Sequence, residues 1–204
     1  MSIGMLGHKI GMTQIFNENG SVIPVTILQV GPCIVTNIKQ YQNHQSIQIG
    51  YQNINPSKIN KPQKGYFNKL SIPCLKYLKE YKNTSKNDIE IGNKLTVKEF
   101  EVGNLINISC NSIGKGFSGN QKRHHFTRGP MSHGSKNHKQ PGSIGAGTTP
   151  GRVFPGKRMA GRMGGEKVTI KNLQIIDINI DKNLIIIKGS VPGKAGNIIQ
   201  IYKT

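Results

Sequence analysis

The sequence predicts a mainly β protein, a closed β-barrel interrupted by a small α+β insertion and by one long extended loop. Three observations lead to this fold class. Short runs rich in Ile, Val and Leu recur along the chain with turn residues between them. A proline-interrupted stretch separates these runs in the first half of the chain. A basic, glycine-rich stretch of 52 residues separates them in the second half.

The first strands are expected before residue 52. The N-terminal residues pass directly into alternating, strand-like sequence. β-branched runs at 22–30 and 33–38 are separated by Gly31-Pro32, which predicts two strands around a turn. Residues 46–51 alternate with a period of two, as in a half-buried strand.

The proline-interrupted stretch is assigned, at about residues 53–88, to a small α+β insertion. One short helix is predicted over 62–70, because proline is favoured at the first position of a helix. Residues 74–82 fit a helix or a strand, and the pattern does not decide between them.

The remaining strands follow the insertion and the long loop. Their spacing predicts that strands before and after the loop pair with one another and close a barrel. We therefore assign residues 1–110 and 166–204 to the barrel and 111–165 to the loop. The predicted strands of this part of the chain are at 89–97, 105–110, 167–180, 184–188 and 198–202.

Charge narrows the class of partner. The chain has 28 Lys and Arg against nine Asp and Glu, which gives a formal net charge of +19. Self-repulsion of this size destabilises a compact chain, and a polyanion relieves it. Nucleic acid is the first candidate partner and an anionic membrane the second. No apolar run approaches the ~18 residues of a membrane span. Of the two candidates we predict nucleic acid as the partner, and no membrane.

The cysteines and the N-terminal sequence indicate in which cellular compartment the protein works. Cys33, Cys74 and Cys110 are widely spaced and form no C-x-x-C pair, which predicts neither disulfides nor a cysteine zinc site. No signal or transit segment precedes the first strand, so we expect the protein to work where it is made. The excess of 29 Ile, 20 Asn and 23 Lys over five Arg is typical of AT-rich coding sequences, as in plastids or some bacteria.

The segment from Gly114 to Gly165, here called the arm, carries the main functional signal. It contains ten Lys or Arg, 13 of the 25 glycines, four of the six histidines and no Asp or Glu. The cations and the two adjacent histidines are the candidate RNA-binding residues. They are Lys115, Lys122, Arg123, His124, His125, Arg128, Lys136, Lys139, Arg152, Lys157, Arg158 and Arg162.

The composition of the arm suits a phosphate-lined path. A solvated surface mixes charge signs, whereas a surface that faces phosphates excludes negative ones. Arginine contacts phosphate at two points and stacks on bases, and phenylalanine and histidine stack on unpaired bases. Residues 117–125 are expected to form a helical turn that points Lys122 and Arg123 at one phosphate cluster. Alone, so polar a segment does not bury enough apolar surface to order itself.

Other interpretations of the arm are weaker. A disordered basic tail is expected at a terminus, whereas strand-like sequence flanks the arm on both sides. The pattern G-x-G-x-x-G at 114–119 has no acidic residue about 20 positions on, so we predict no dinucleotide cofactor. The four histidines lack cysteine or carboxylate partners, which argues against a metal site. A nucleotide-dependent enzyme and a free RNA chaperone remain as alternatives.

Several motifs resemble a known family over essentially the full length. Residues 3–16 (IGMLGHKIGMTQIF), 23–26 (IPVT) and 112–123 (SIGKGFSGNQKR) resemble its opening and its most diagnostic motif. Residues 141–145 (PGSIG), 149–154 (TPGRVF), 156–164 (GKRMAGRMG) and 191–193 (VPG) continue the match. The chain is thus identified as a member of the bacterial-type ribosomal protein L3 family.

The resemblance implies a translation-protein-type β-barrel on the exterior of the large ribosomal subunit. It implies a long loop that runs through large-subunit rRNA, bound near the 3′ end, toward the peptidyl-transferase centre. It also implies a role early in assembly, neighbouring large-subunit proteins as partners, and no catalysis, cofactor or small-molecule substrate. Together with the composition it predicts a plastid ribosome, with a bacterial cytoplasm as the alternative.

Two positions depart from the family pattern. Cys110 stands where a smaller residue is usual, which we expect to change packing only. Many bacterial members have a methylated glutamine at or beside Thr148, and no glutamine occurs here, so that modification is not assumed.

Overall fold

A computed structural model describes residues 4–42, 44–83 and 89–203 of the chain. The fold is mainly β, as predicted. The strands are β1 (Met5–Phe16), β2 (Val22–Val30), β3 (Cys33–Gln40), β4 (Gln45–Asn53), β5 (Leu75–Asn83), β6 (Lys94–Leu95), β7 (Leu105–Asn111), β8 (Phe117–Ser118), β9 (Gly161–Arg162), β10 (Lys167–Asn179), β11 (Leu184–Lys188) and β12 (Ile198–Lys203). The α-helices are α1 (Lys61–Lys69) and α2 (Asn120–His124), and neither is long and apolar enough to cross a membrane.

Six strands form a closed antiparallel barrel in the order β1-β12-β7-β10-β11-β2. Alternate residues of the strands point inward, as a period of two requires. Ile106 and Ile108 of β7 and Ile199 and Ile201 of β12 are fully buried. Burial of each such side chain stabilises the fold by about 1.5–3 kcal/mol. The isoleucine-rich runs of the sequence therefore supply the core of the barrel.

A second sheet has the order β5-β4-β3-β6. The sequence pattern assigns β3 and most of β4 to the barrel, with an insertion from about residue 53. Hydrogen bonding corrects this placement, because β3 pairs with β4 and β6, and β4 pairs with β5. Period-two patterns show that a segment is a strand but do not identify its partner, which explains the error.

The helix and the ambiguous segment of the insertion are both resolved. α1 begins one residue before the predicted start and has Pro62 in its first turn. Its Phe67 is buried in a small cluster with Ile34, Ile72 and Leu75. Residues 74–82 are strand rather than helix, because β5 pairs in register with β4.

The strand predicted at 89–97 is mostly wrong. Within the described part of that run, only Lys94–Leu95 is strand, and Val97–Glu99 forms a 3-10 turn. Gly92 has a φ of 94°, in the left-handed region, and ends the extended backbone there. The predicted insertion also covers residues 84–88, which lie outside the described residues.

The turn before β12 packs against the end of β7. Gly193 has a φ of 87°, and a Cβ there would meet Cys110 Sγ at 2.9 Å. Lys9 Nζ donates hydrogen bonds to the carbonyl oxygens of Val191 (2.7 Å) and Gly193 (3.2 Å). Lys9 thus fixes the turn, and Gly193 within it lies against the end of β7, after which the chain leaves the barrel.

The long loop starts and ends at neighbouring strands of the barrel. Asn111 at the end of β7 is the register partner of Lys167 at the start of β10. The chain divides into two compact units, residues 1–112 with 167–204, and residues 113–166. The second unit contains the whole arm.

Candidate nucleic-acid interface

The base of the arm is a short antiparallel ribbon. β8 pairs with β9, with Phe117 opposite Arg162 and Ser118 opposite Gly161. The ribbon continues through hydrogen bonds from Lys115 N to Met163 O (2.8 Å) and from Met163 N to Gly116 O (2.9 Å). The two ends of the arm are therefore tied together by backbone groups, which the sequence pattern does not reveal.

A side-chain clamp follows this ribbon. Arg123, on α2, donates from Nη1 to the carbonyl oxygen of Met159 at 2.7 Å. A ring nitrogen of His124 lies 3.0 Å from the same oxygen. Gly161 makes room for the clamp, because a Cβ there would lie 2.7 Å from the Arg123 guanidinium. Arg123 and His124 thus hold two segments of the arm together.

The middle of the arm folds back on itself. Gly129 N donates to the carbonyl oxygen of His138 at 3.3 Å. Gly129 also packs against the backbone of Asn137 so closely that any Cβ would collide with the Asn137 oxygen. Beside this contact is an open cavity of about 420 Å³. Its lining includes His124, His125, Phe126, Asn137, Gln140 and Arg158.

The arm has almost no interior. In residues 113–166 only Ser118 and Asn120 are buried, and neither is apolar. Phe117 is 81% exposed and Phe154 is 59% exposed. Buried side-chain polar atoms without a hydrogen-bond partner among the described residues are Ser118 Oγ, Asn120 Oδ1, Gln121 Nε2 and His138 Nδ1. All four are in the arm, although buried polar groups are normally hydrogen-bonded.

The predicted site residues differ in solvent exposure and in their contacts. Ten of the twelve are exposed, and only Arg123 and His124 are half-buried. Lys122 and Arg123 are both on α2. Lys122 is exposed, whereas Arg123 turns back to Met159.

The other cations of the arm have few partners. Arg152 Cζ lies 5.9 Å from the centroid of the Phe154 ring. His125 and Arg158 line the cavity beside Gly129. Across the described residues the one ion pair is Lys39–Glu80, so no cation of the arm is paired with a carboxylate there.

Three neutral polar residues of the cavity were missed by the sequence reasoning. Thr127, Asn137 and Gln140 line it beside the predicted His125 and Arg158. They carry no charge, so the count of charged residues that identified the arm does not include them. Only the fold-back at Gly129 brings their segments together.

The alternative chemistries find no support in the geometry. The glycine pattern at 114–119 leads into the antiparallel β8–β9 ribbon and a five-residue helix, not into a parallel β-α-β unit. No group of three metal-ligating side chains occurs in the described part of the chain. The three cysteines are free and buried, and burial raises the pKa of Cys33 to about 12, so its thiol stays protonated.

A segment in which Lys and Arg cluster without carboxylates is typical of nucleic-acid-binding proteins. A family model described as ribosomal protein L3 matches residues 77–184. The chain is 61% identical, over all of both chains, to the large ribosomal subunit protein uL3c of Gracilaria tenuistipitata var. liui. It belongs to the ribosomal protein L3 family.

Two further relatives extend the match. The uL3c protein of Porphyra purpurea is 58% identical, again over all of both chains. The uL3 protein of Trichormus variabilis is 54% identical over 98% of this chain and 96% of the relative. The chain is therefore a large-subunit ribosomal protein of the plastid type and not an enzyme. It is located in a plastid ribosome.

Proposed function

We propose that the arm binds large-subunit rRNA near its 3′ end, supports early assembly of the subunit, and reaches toward the peptidyl-transferase centre. The observation that carries the proposal is the combination of ten Lys and Arg with no Asp or Glu in a segment that buries no apolar side chain. Such a segment gains little from folding alone and much from neutralising phosphates.

The number of residues in the arm allows a long reach into RNA. Its 52 residues leave and return at register partners, so each limb has about half of them. Fully extended, a limb of that length spans at most roughly 90 Å. Its backbone turns and pairs at a few points only, and most side chains face outward. The candidate contacts are therefore distributed along a path rather than collected in one pocket.

The finer assignments follow the family. The barrel is proposed to be of the translation-protein type and to stay on the exterior of the subunit, beside neighbouring large-subunit proteins. The tip of the arm is proposed to approach the catalytic RNA without taking part in catalysis. A free RNA chaperone would share the basic arm but would not sediment with the subunit.

Reversal of two exposed arginines tests the proposal. Arg158→Glu with Arg162→Glu should impair incorporation into the large subunit, while the barrel still folds. Each hydrogen bond to a charged group contributes about 1.5–3 kcal/mol, so loss of two weakens rRNA binding by roughly 100-fold or more. The measurement is the amount of protein that co-sediments with assembled subunits.

The matched control is Lys171→Glu with Lys182→Glu, which changes the net charge equally at two exposed positions outside the arm. It should incorporate like the unchanged protein. Equal incorporation of both variants would show that net charge, and not the arm, determines binding.

A further inference from the structure

Two segments of the backbone enclose the cavity in the middle of the arm. One wall is the segment 124–130 and the other is 137–142. The hydrogen bond from Gly129 N to His138 O joins them. The packing of Gly129 on the Asn137 backbone fixes their spacing, because no other residue fits there. The concavity is therefore a consequence of the fold of the arm and not of side-chain placement alone.

The side chains of this cavity differ from those along the rest of the arm. Elsewhere the arm places at most one aromatic ring beside a cation, as where Arg152 lies over the Phe154 ring. Here a phenyl ring (Phe126), two imidazoles, two carboxamides (Asn137 and Gln140) and one guanidinium (Arg158) face one space. Binding of a phosphate alone requires only the guanidinium. The other groups supply flat surfaces for stacking and paired donors and acceptors for a polar edge.

The size of the cavity suits one nucleotide. About 420 Å³ lies in the range of pockets that hold one small molecule. A duplex does not enter such a space, whereas one nucleotide turned out of its stack does. Unpaired bases are recognised by stacking on aromatic rings or guanidinium planes and by hydrogen bonds to their edges. All of these groups occur in the cavity, and no carboxylate lines it to repel a phosphate.

We propose that this cavity binds a single unpaired nucleotide of the RNA. The base stacks on Phe126, its edge bonds to the carboxamides of Asn137 and Gln140, and its phosphate lies beside Arg158. The inference rests on the proposed rRNA binding and adds to it one base-recognising site among many phosphate contacts.

The test compares Phe126→Leu, which keeps an apolar side chain without a π face, with Phe126→Tyr, which keeps the ring. The full chain is titrated against a transcript of the 3′-terminal portion of plastid large-subunit rRNA between 50 and 200 mM salt. Stacking of one base predicts that Phe126→Leu binds roughly 5- to 150-fold more weakly. Because no charge changes, the salt slope stays the same, and Phe126→Tyr restores the affinity.

The matched control is Phe16→Leu, at an exposed phenylalanine of β1 outside the arm, which should bind normally. Chemical probing of the same RNA gives a second readout. One unpaired base should be protected by the unchanged protein and become reactive with Asn137→Ala.

The outcomes separate the two proposals. A steep salt slope with normal binding of Phe126→Leu overturns the nucleotide site and leaves the proposed function standing. A weakened Phe126→Leu that Phe126→Tyr does not restore, or a changed salt slope, also overturns it, because the ring then serves packing. A flat salt slope of the unchanged protein overturns the proposed function itself.

Discussion

Excision of residues 112–166 should leave a barrel that folds but that has lost most of its affinity for large-subunit rRNA. Asn111 and Lys167 are register partners on antiparallel strands, so an Asn-Gly turn joins them without distortion. The buried isoleucines of β7, β10 and β12 are all retained. The shortened chain should therefore unfold cooperatively, with the core of the full-length protein.

The loss of affinity should be large. Excision removes ten of the 28 cations and only one of the nine acids. If the arm makes the specific contacts, binding falls to the non-specific level, roughly 10³-fold or more weaker. The measurement is filter binding to the 3′-terminal rRNA transcript, with a thermal melt to confirm folding.

A second variant separates charge from length. Replacement of 112–166 by a neutral Gly-Ser linker of equal length should bind as weakly as the excised chain, because it restores reach without cations. Tight binding by either variant would assign RNA recognition to the barrel and contradict the role given to the arm.

Salt should weaken the complex of the full chain steeply. If the arm neutralises roughly 6–10 phosphates, affinity falls about 10³–10⁵-fold between 50 and 200 mM salt, because bound cations release condensed counterions. The exposure of ten of the twelve candidate residues, and the absence of carboxylate partners for the arm's cations among the described residues, make such contacts available.

The slope of log affinity against log salt concentration also measures how many phosphates the protein neutralises. If Lys157 contacts a phosphate, as proposed, Lys157→Gln should reduce the slope by about 1. Lys182→Gln, outside the arm, serves as its control and should leave the slope unchanged. A flat salt response of the full chain would be incompatible with electrostatic binding through the arm.

The strands of the fold were largely predictable because hydrophobic periodicity is local. β2, β7, β11 and β12 lie within a residue or two of their predicted bounds. Pro62 identified the start of α1 for a similarly local reason. The partners of β3 and β4 were not predictable, since pairing depends on contacts distant in sequence.

The arm was predictable as a functional segment, because the exclusion of carboxylates over 52 residues is visible in composition. Its internal structure was not. The clamp of Arg123 on Met159 and the fold-back of Gly129 on His138 both end on backbone carbonyls, which have no sequence signature. For the same reason Asn137 and Gln140 become candidates only when the cavity is seen.

The most direct measurement is photo-crosslinking of the arm inside assembled plastid large subunits. A photoreactive group at the exposed Lys139, near the middle of the arm, is compared with one at Lys182 on the barrel unit. We expect Lys139 to crosslink to large-subunit rRNA around the peptidyl-transferase centre, and Lys182 not to reach that RNA. Crosslinks from Lys139 only to proteins, or only to messenger or transfer RNA, would contradict the account.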